Sequence, residues 1–278
     1  MKRRHRKIKQ IVIGAVLTVA LVFFLFPVVW MFLTSFKTQD QVFASPPVLV
    51  PPSDQWNLKN YRAVLYDNGA WNGIRDSTYI SLATATISVA VGSLAAYSLA
   101  RFRTGGDQFS FWILSTRMFP PVAIALPLFL IFRDLKLLDT YRVLIVANTI
   151  FNLPFAIWLL KGFIEDLPVE LEESALIDGS SVLGAFWRIT LPLIAPGMVT
   201  AFLFSFVFTW NEFLFALLLT RRSVRPLTVI VQSLAGGHEI LWAQIAAAGV
   251  LAIIPGTLLV IFLQRYIVRG MTMGALKY

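Results

Sequence analysis

Apolar residues in this chain fall in long blocks, without the alternation of a half-buried strand or the one-sided spacing of a surface helix. Six blocks approach the ~20 residues that carry a helix across a bilayer. They cover residues 11–33, 78–100, 109–132, 144–160, 193–219 and 245–267. The second is rich in Ala, Ser and Gly, which predicts close packing against neighbouring helices. The third holds Pro120, Pro121 and Pro127, and the fourth holds Pro154. Proline interrupts the backbone ladder, so both are expected to be kinked. The predicted fold class is all-α, a polytopic membrane protein of about six transmembrane helices. The stretches between the blocks leave no room for a soluble domain. Residues 11–278 therefore read as one transmembrane domain behind a basic segment, 1–10.

Composition supports that pattern. Of 278 residues, 57% are hydrophobic and 14% charged, against roughly 25% charged in an average soluble domain. The formal charge of +9 could point to nucleic acid, but its distribution does not. Lys2, Arg3, Arg4, Arg6, Lys7 and Lys9 crowd the start, directly before the first apolar block. That is the flank of a helix obeying the positive-inside rule. With the start inside, inner segments hold thirteen Lys and Arg and outer segments ten, Arg117 lying within a span. Both termini are expected in the cytoplasm, although Arg221, Arg222 and Arg225 run against the rule. The first block is too long for a cleaved signal peptide and ends in Phe23, Phe24, Phe26 and Trp30 where small residues would stand. It reads as a retained helix.

Several chemistries drop out. There is no cysteine, which removes disulfides and thiolate metal sites. His5 and His238 are far apart and make no metal centre. No GxxxxGK loop occurs, so the chain is not expected to bind ATP itself. No nucleophile–base arrangement is visible, and no enzymatic activity or cofactor in this chain is expected.

Residues 162–192 have a different character. Glu165, Asp166, Glu170, Glu172, Glu173 and Asp178 gather there. Pro168 and the acids suit a helix N-terminus, and Gly179 is placed to end that helix. Along it, Glu170, Glu173, Ser174 and Ile177 share one face, with Leu171 and Ala175 on another. Ser180 or Ser181 can cap a second short helix through Arg188 and Ile189, which Leu191-Pro192 is expected to stop. The product is a helix–turn–helix on the cytoplasmic face. Its acidity argues against lying on anionic lipid.

The run Glu173-Ser174-Ala175, then Gly179, Ile189 and Leu191-Pro192, resembles the EAA loop in the membrane subunits of binding-protein-dependent ABC importers. Ser174 replaces that loop's first alanine. Further fragments resemble the carbohydrate-uptake permeases related to the smaller membrane subunit of the maltose transporter. These are Pro27–Trp30 with Ser35-Phe36-Lys37, Asn60-Tyr61, Ala95–Tyr97 with Ala100-Arg101, Pro120, Pro127-Leu128, Asp166–Pro168, Trp210–Phe213 and the tail from Gly270. The tail departs from the family wording, ending in Lys277-Tyr278.

The resemblance implies a permease subunit importing a sugar or sugar-like solute (oligosaccharide, disaccharide or polyol) across a bacterial or archaeal cytoplasmic membrane. It implies that Glu173, Ser174, Ala175, Asp178, Gly179, Ile189, Leu191 and Pro192 dock an ATPase subunit. The implied partners are an ATPase dimer holding ATP and Mg, a homologous second permease, an extracytoplasmic solute-binding protein and the bilayer, with no nucleic acid. It also implies that the loop 221–243 reaches the docked binding protein. Alternatives are a permease for another solute, such as a phosphorylated polyol or an oligopeptide, and an ion-coupled secondary transporter.

Arg117 and Glu212 stand inside expected spans, where ionisable groups are costly. Two readings stay open: pairing for packing, with each other or the second permease, or a wet pathway whose groups bond sugar hydroxyls. Asn152 and Asn211 join them as pathway candidates. Asn211 and Glu212 lie between two apolar runs, so no helix end is expected there. Trp210 could stack on a sugar ring or simply pack.

Overall fold

The computed structural model describes residues 2–52, 56–236 and 240–273. Gly237, His238 and the tail 274–278 lie outside the described residues. All regular structure among the described residues is helical. Four helices are long and apolar enough to cross a membrane, or up to six if each of two bent pairs is one span. The chain divides into two compact units, Met1–Trp71 with Ile230–Ile254 and Asn72–Val229 with Pro255–Tyr278.

In the first unit, α1 (Lys2–Thr34) carries the first apolar block. The side chains of 12–30 stand mostly open, Phe23 71% and Phe24 73% exposed. Lipid chains solvate such a surface as well as protein would. The connection after α1 is more ordered than a loop reading implies. It contains helical turns at Gln39–Val42 and Lys59–Arg62. The two motif fragments of this region meet: Ser35 Oγ and Tyr61 OH lie 2.7 Å apart. The Asn60 amide donates to the carbonyls of Ser35 and Lys37 at 2.8 and 2.9 Å. Phe36 stacks on Trp56, with ring centres 4.8 Å apart.

The second unit is built on α2 (Ala70–Phe102), which begins earlier than the apolar block did. After it come α3 (Gly106–Ser115), α4 (Pro121–Asp134) and α5 (Tyr141–Glu165). The small residues of α2 act as expected. A Cβ added to Gly92 would stand 3.1 Å from the Ala156 side chain, so α2 and α5 approach closely. Val89, Ala96 and Tyr97 of α2 pack in one core with Ala156, Leu160 and Ile164 of α5. The third block is not a kinked helix but two helices, bent by 88° across Phe119-Pro120. Pro120 lacks an N–H and Phe119 before it is extended, as the residue preceding a proline prefers. By contrast α5 continues without a break through Pro154.

The fifth block also departs from expectation. It forms α8 (Ala195–Trp210) and α9 (Leu214–Leu219), interrupted at 211–213. At ~1.5 Å rise per residue α8 alone is short of the ~30 Å hydrocarbon core.

The segment after α9 is pinned rather than loose. The Asp139 carboxylate accepts the backbone N–H groups of Arg221 at 2.8 Å, Arg222 at 3.2 Å and Ser223 at 3.0 Å. Burial would raise its pKa, but the N–H donors of Ser223, Arg221 and Arg222 outweigh burial and hold the carboxyl well below the usual carboxylate range. Ser77 Oγ then accepts Leu227 N–H at 2.9 Å, where α10 (Leu227–Ala235) starts. The arginines that defied the charge rule thus sit on a clamped strip. The chain ends in α11 (Trp242–Met273).

Candidate functional site

The acidic connection folds as α6 (Glu170–Ile177) and α7 (Val182–Ala185). Gly179 takes φ +88°, a left-handed conformation that suits glycine. Ser180 N–H donates to the Ala175 carbonyl at 2.9 Å and Gly179 N–H to that of Leu176 at 3.1 Å, the Schellman arrangement that closes a helix. Ser181 Oγ accepts Gly184 N–H at 3.1 Å and caps α7. The turn is thus built as its residues predict.

Two details differ. Leu191-Pro192 does not stop the second helix. A π turn over Phe186–Thr190 widens the backbone and Pro192 enters the turn Leu191–Leu193, near whose start no N–H is needed. The break comes at Ile194, and the chain bends by 74° into α8. Nor does α6 bury an apolar face. Ile177 is 86% exposed while Glu172 is 6% exposed. Of the docking candidates, Glu173, Ser174, Asp178, Gly179 and Pro192 are exposed and Ala175, Ile189 and Leu191 half-buried.

Glu172 holds a buried cluster that the sequence reading missed. Its carboxylate takes Arg101 Nε at 2.9 Å, Tyr97 OH at 3.0 Å and Thr190 Oγ1 at 2.8 Å. Arg101 also donates to the Leu167 carbonyl at 3.2 Å. Both charged side chains are under a tenth exposed. The cluster fastens the hairpin, through both its arms, to the end of α2. Such a pair is costly to desolvate, but removing one partner leaves a buried charge uncompensated, at about 3–5 kcal/mol. A signal existed: Tyr97 and Arg101 already stood out at the end of their span, facing a loop rich in acids.

A second site lies among the apolar helices. Arg117, Asn148, Asn152, Phe208 and Glu212 line a cavity of about 540 Å³ in the second unit. Three of the four pathway candidates therefore converge. Asn152 donates to Thr209 Oγ1 and to the Asn148 carbonyl, both at 3.0 Å, tying α5 to α8. Glu212 does not pair with Arg117. Its two oxygens accept Phe215 N–H at 2.7 Å and Ala216 N–H at 3.0 Å, capping α9. The expectation of no helix end here was wrong because the carboxylate supplies the acceptors that start a new helix. Asn211 does not line the cavity; its amide closes the end of α8 on the Val207 carbonyl at 2.8 Å. Trp210 is buried and stacks on Phe206.

Arg117 sits between two rings, its guanidinium carbon 4.4 Å from the Phe208 centre and 4.8 Å from that of Phe155. Its Nη1 is buried without a hydrogen-bond partner among the described residues. Each ring offsets roughly 0.5–2 kcal/mol of a membrane charge cost of about 2.5–3.5 kcal/mol. A buried donor left open costs a further ~1–3 kcal/mol.

Comparison with known proteins bears on the family of the whole chain. Residues 88–273 match the family model described as the binding-protein-dependent transport system inner membrane component. The chain is 34% identical to the trehalose/maltose transport system permease protein MalG of Thermococcus litoralis, over 99% of each chain. It is 34% identical to the sulfoquinovosyl glycerol transport system permease protein SmoH of Agrobacterium fabrum, covering 91% of this chain and 89% of that one. Among solved structures it resembles a chain of a bacterial ABC transporter involved in the import of the acidic polysaccharide alginate. That likeness has a TM-score of 0.75 and 25% identity, covering 95% of this chain and 98% of the other. The hairpin, the broken helices and these matches lead to one conclusion: this chain belongs to the family of binding-protein-dependent transport system inner membrane components.

Proposed function

We propose that this multi-pass membrane protein is the permease subunit of a sugar ABC importer and performs no catalysis itself. Relatives named for trehalose, maltose and sulfoquinovosyl glycerol transport support the sugar class. The observation that carries the mechanism is the hairpin 170–193, rigidly closed at Gly179 and fastened by Glu172 to α2. A separate ATPase dimer holding ATP and Mg docks on Glu173, Ser174, Asp178 and Gly179, with Ile177 as an apolar contact. ATP-driven motion of the hairpin reaches α2 through the Arg101–Glu172 pair and opens or closes the cavity around Arg117 and Glu212. A homologous second permease completes the channel in the cytoplasmic membrane. An extracytoplasmic binding protein delivers the solute, a partner supported by the family's description as binding-protein-dependent. In this reading the chain crosses six times, and the basic start puts both termini in the cytoplasm.

The test is reconstitution of this chain with its ATPase, second permease and binding protein in proteoliposomes. ATP-dependent uptake of a disaccharide is expected. Uptake that follows an imposed ion gradient and ignores ATP would refute the assignment.

A further inference from the structure

The cavity holds two opposite charges that do not meet. Arg117 and Glu212 both line it, yet none of the ion pairs among the described residues joins them. Each is held in place by something else. The rings of Phe155 and Phe208 cradle the guanidinium, and the backbone of α9 cradles the carboxylate. Neither residue needs the other for its position. Glu212 retains accepting capacity, since each carboxylate oxygen has two lone-pair sites. Arg117 is joined by no ion pair among the described residues, and its buried Nη1 has no hydrogen-bond partner among them.

We propose that this cavity selects saccharides bearing an acid group. Arg117 takes the oxyanion, a carboxylate or sulfonate, and Glu212 accepts hydrogen bonds from the hydroxyls of the same molecule. The proposal rests on the sugar-import reading above and narrows it. A hydroxyl could accept one hydrogen bond from Arg117 but would leave its charge unbalanced. An oxyanion balances the charge and matches the planar fork of donors. The separation of Arg117 from Glu212 keeps the guanidinium available to a passing solute, which an internal ion pair would prevent.

The experiment uses the complete transporter in nanodiscs. Saturation-transfer NMR competition compares a digalacturonate with a neutral galactose disaccharide. Wild type is expected to favour the acidic sugar by about tenfold or more. Arg117→Gln is expected to abolish that preference, and Arg117→Lys, which keeps the charge but not the fork, to retain part of it. Equal binding of the two sugars by wild type, or a preference unchanged in Arg117→Gln, overturns the proposal while sugar import stands. If neither sugar binds and only a non-sugar solute is imported, the import reading fails with it. Loss of the second permease from the Arg117→Gln complex assigns the guanidinium to a contact between subunits and overturns the proposal too.

Discussion

Two charges in one compact unit, buried Glu172 and half-buried Arg117, are treated in opposite ways. Glu172 is compensated: an arginine, a tyrosine and a threonine meet it, and the arginine is itself shared with a carbonyl. Arg117 rests on two phenyl rings and keeps a donor without a partner among the described residues. A compensated cluster this buried is closed to a ligand, but it joins two arms of a hairpin to a long helix. That suits transmission of movement. An open charge beside a cavity is a poor fastening, and it suits binding of something that comes and goes. The contrast separates the part that carries force from the part that handles cargo.

The largest effect is expected from breaking the compensated side. Glu172→Ala leaves Arg101 buried and unpaired and should destabilise the unit by about 3–5 kcal/mol, read as a lowered melting temperature of the purified complex. Glu172→Gln keeps an acceptor for Tyr97 and Thr190 and should cost less. An Arg101→Met and Glu172→Met double variant should recover most of the stability but not transport, if the pair positions the hairpin rather than merely holding the fold.

The turn comes next. Gly179 has open space around a Cβ, so Gly179→Val meets no clash and acts through its φ alone, at roughly 1–2 kcal/mol. Insertion should persist while ATP-coupled uptake is lost. Gly179→Asn, which tolerates this conformation, should retain much of it. Normal uptake in the valine variant would show that the turn can be rebuilt without cost.

On the open side, Glu212→Gln and Asn211→Ala should differ although they are neighbours. Glu212 lines the cavity, whereas Asn211 only closes a helix end. Glu212→Gln is expected to alter substrate preference in uptake assays. Asn211→Ala is expected to cost about 0.5–1.5 kcal/mol in stability, with substrate preference unchanged.

The smallest effect concerns the clamp at Asp139, distant from both charges in role. Its folded pKa lies below the unfolded value of about 3.9. Its stabilisation is therefore present above that value and lost as pH falls through the folded pKa. Asp139→Asn should lower stability at neutral pH by about 1 kcal/mol, discounted for partial exposure. The difference from wild type should shrink in acid below the unfolded pKa. Parallel melting curves of the two proteins across pH check this.

What could be read from the sequence follows from the range of the forces involved. Gly179, Ser181 and the long apolar blocks act locally, through backbone conformation and hydropathy, and their roles were legible. The small residues of α2 announced close packing without naming Ala156 as the neighbour. The Glu172 cluster joins residues 71 positions apart from Arg101, and no periodicity reveals such a pairing. Glu212 was misjudged for a related reason. Two apolar runs flanking a polar pair read as one helix unless the side chain is seen to supply the cap. Pro120 and Pro154 make the same point from opposite sides. The first separates two helices bent by 88° while the second lies inside an unbroken one, and tertiary packing decides between them.

The central claim is a division of labour, and the number of solute molecules imported per ATP hydrolysed tests it most directly. The measurement belongs in proteoliposomes holding the complete transporter, with wild type, Glu172→Gln and Arg117→Gln compared side by side. The account predicts that Glu172→Gln lowers this ratio severalfold because hydrolysis no longer moves α2. It predicts that Arg117→Gln changes which solute is carried while the ratio for a carried solute holds. A wild-type ratio in Glu172→Gln, or a collapsed one in Arg117→Gln, would contradict it.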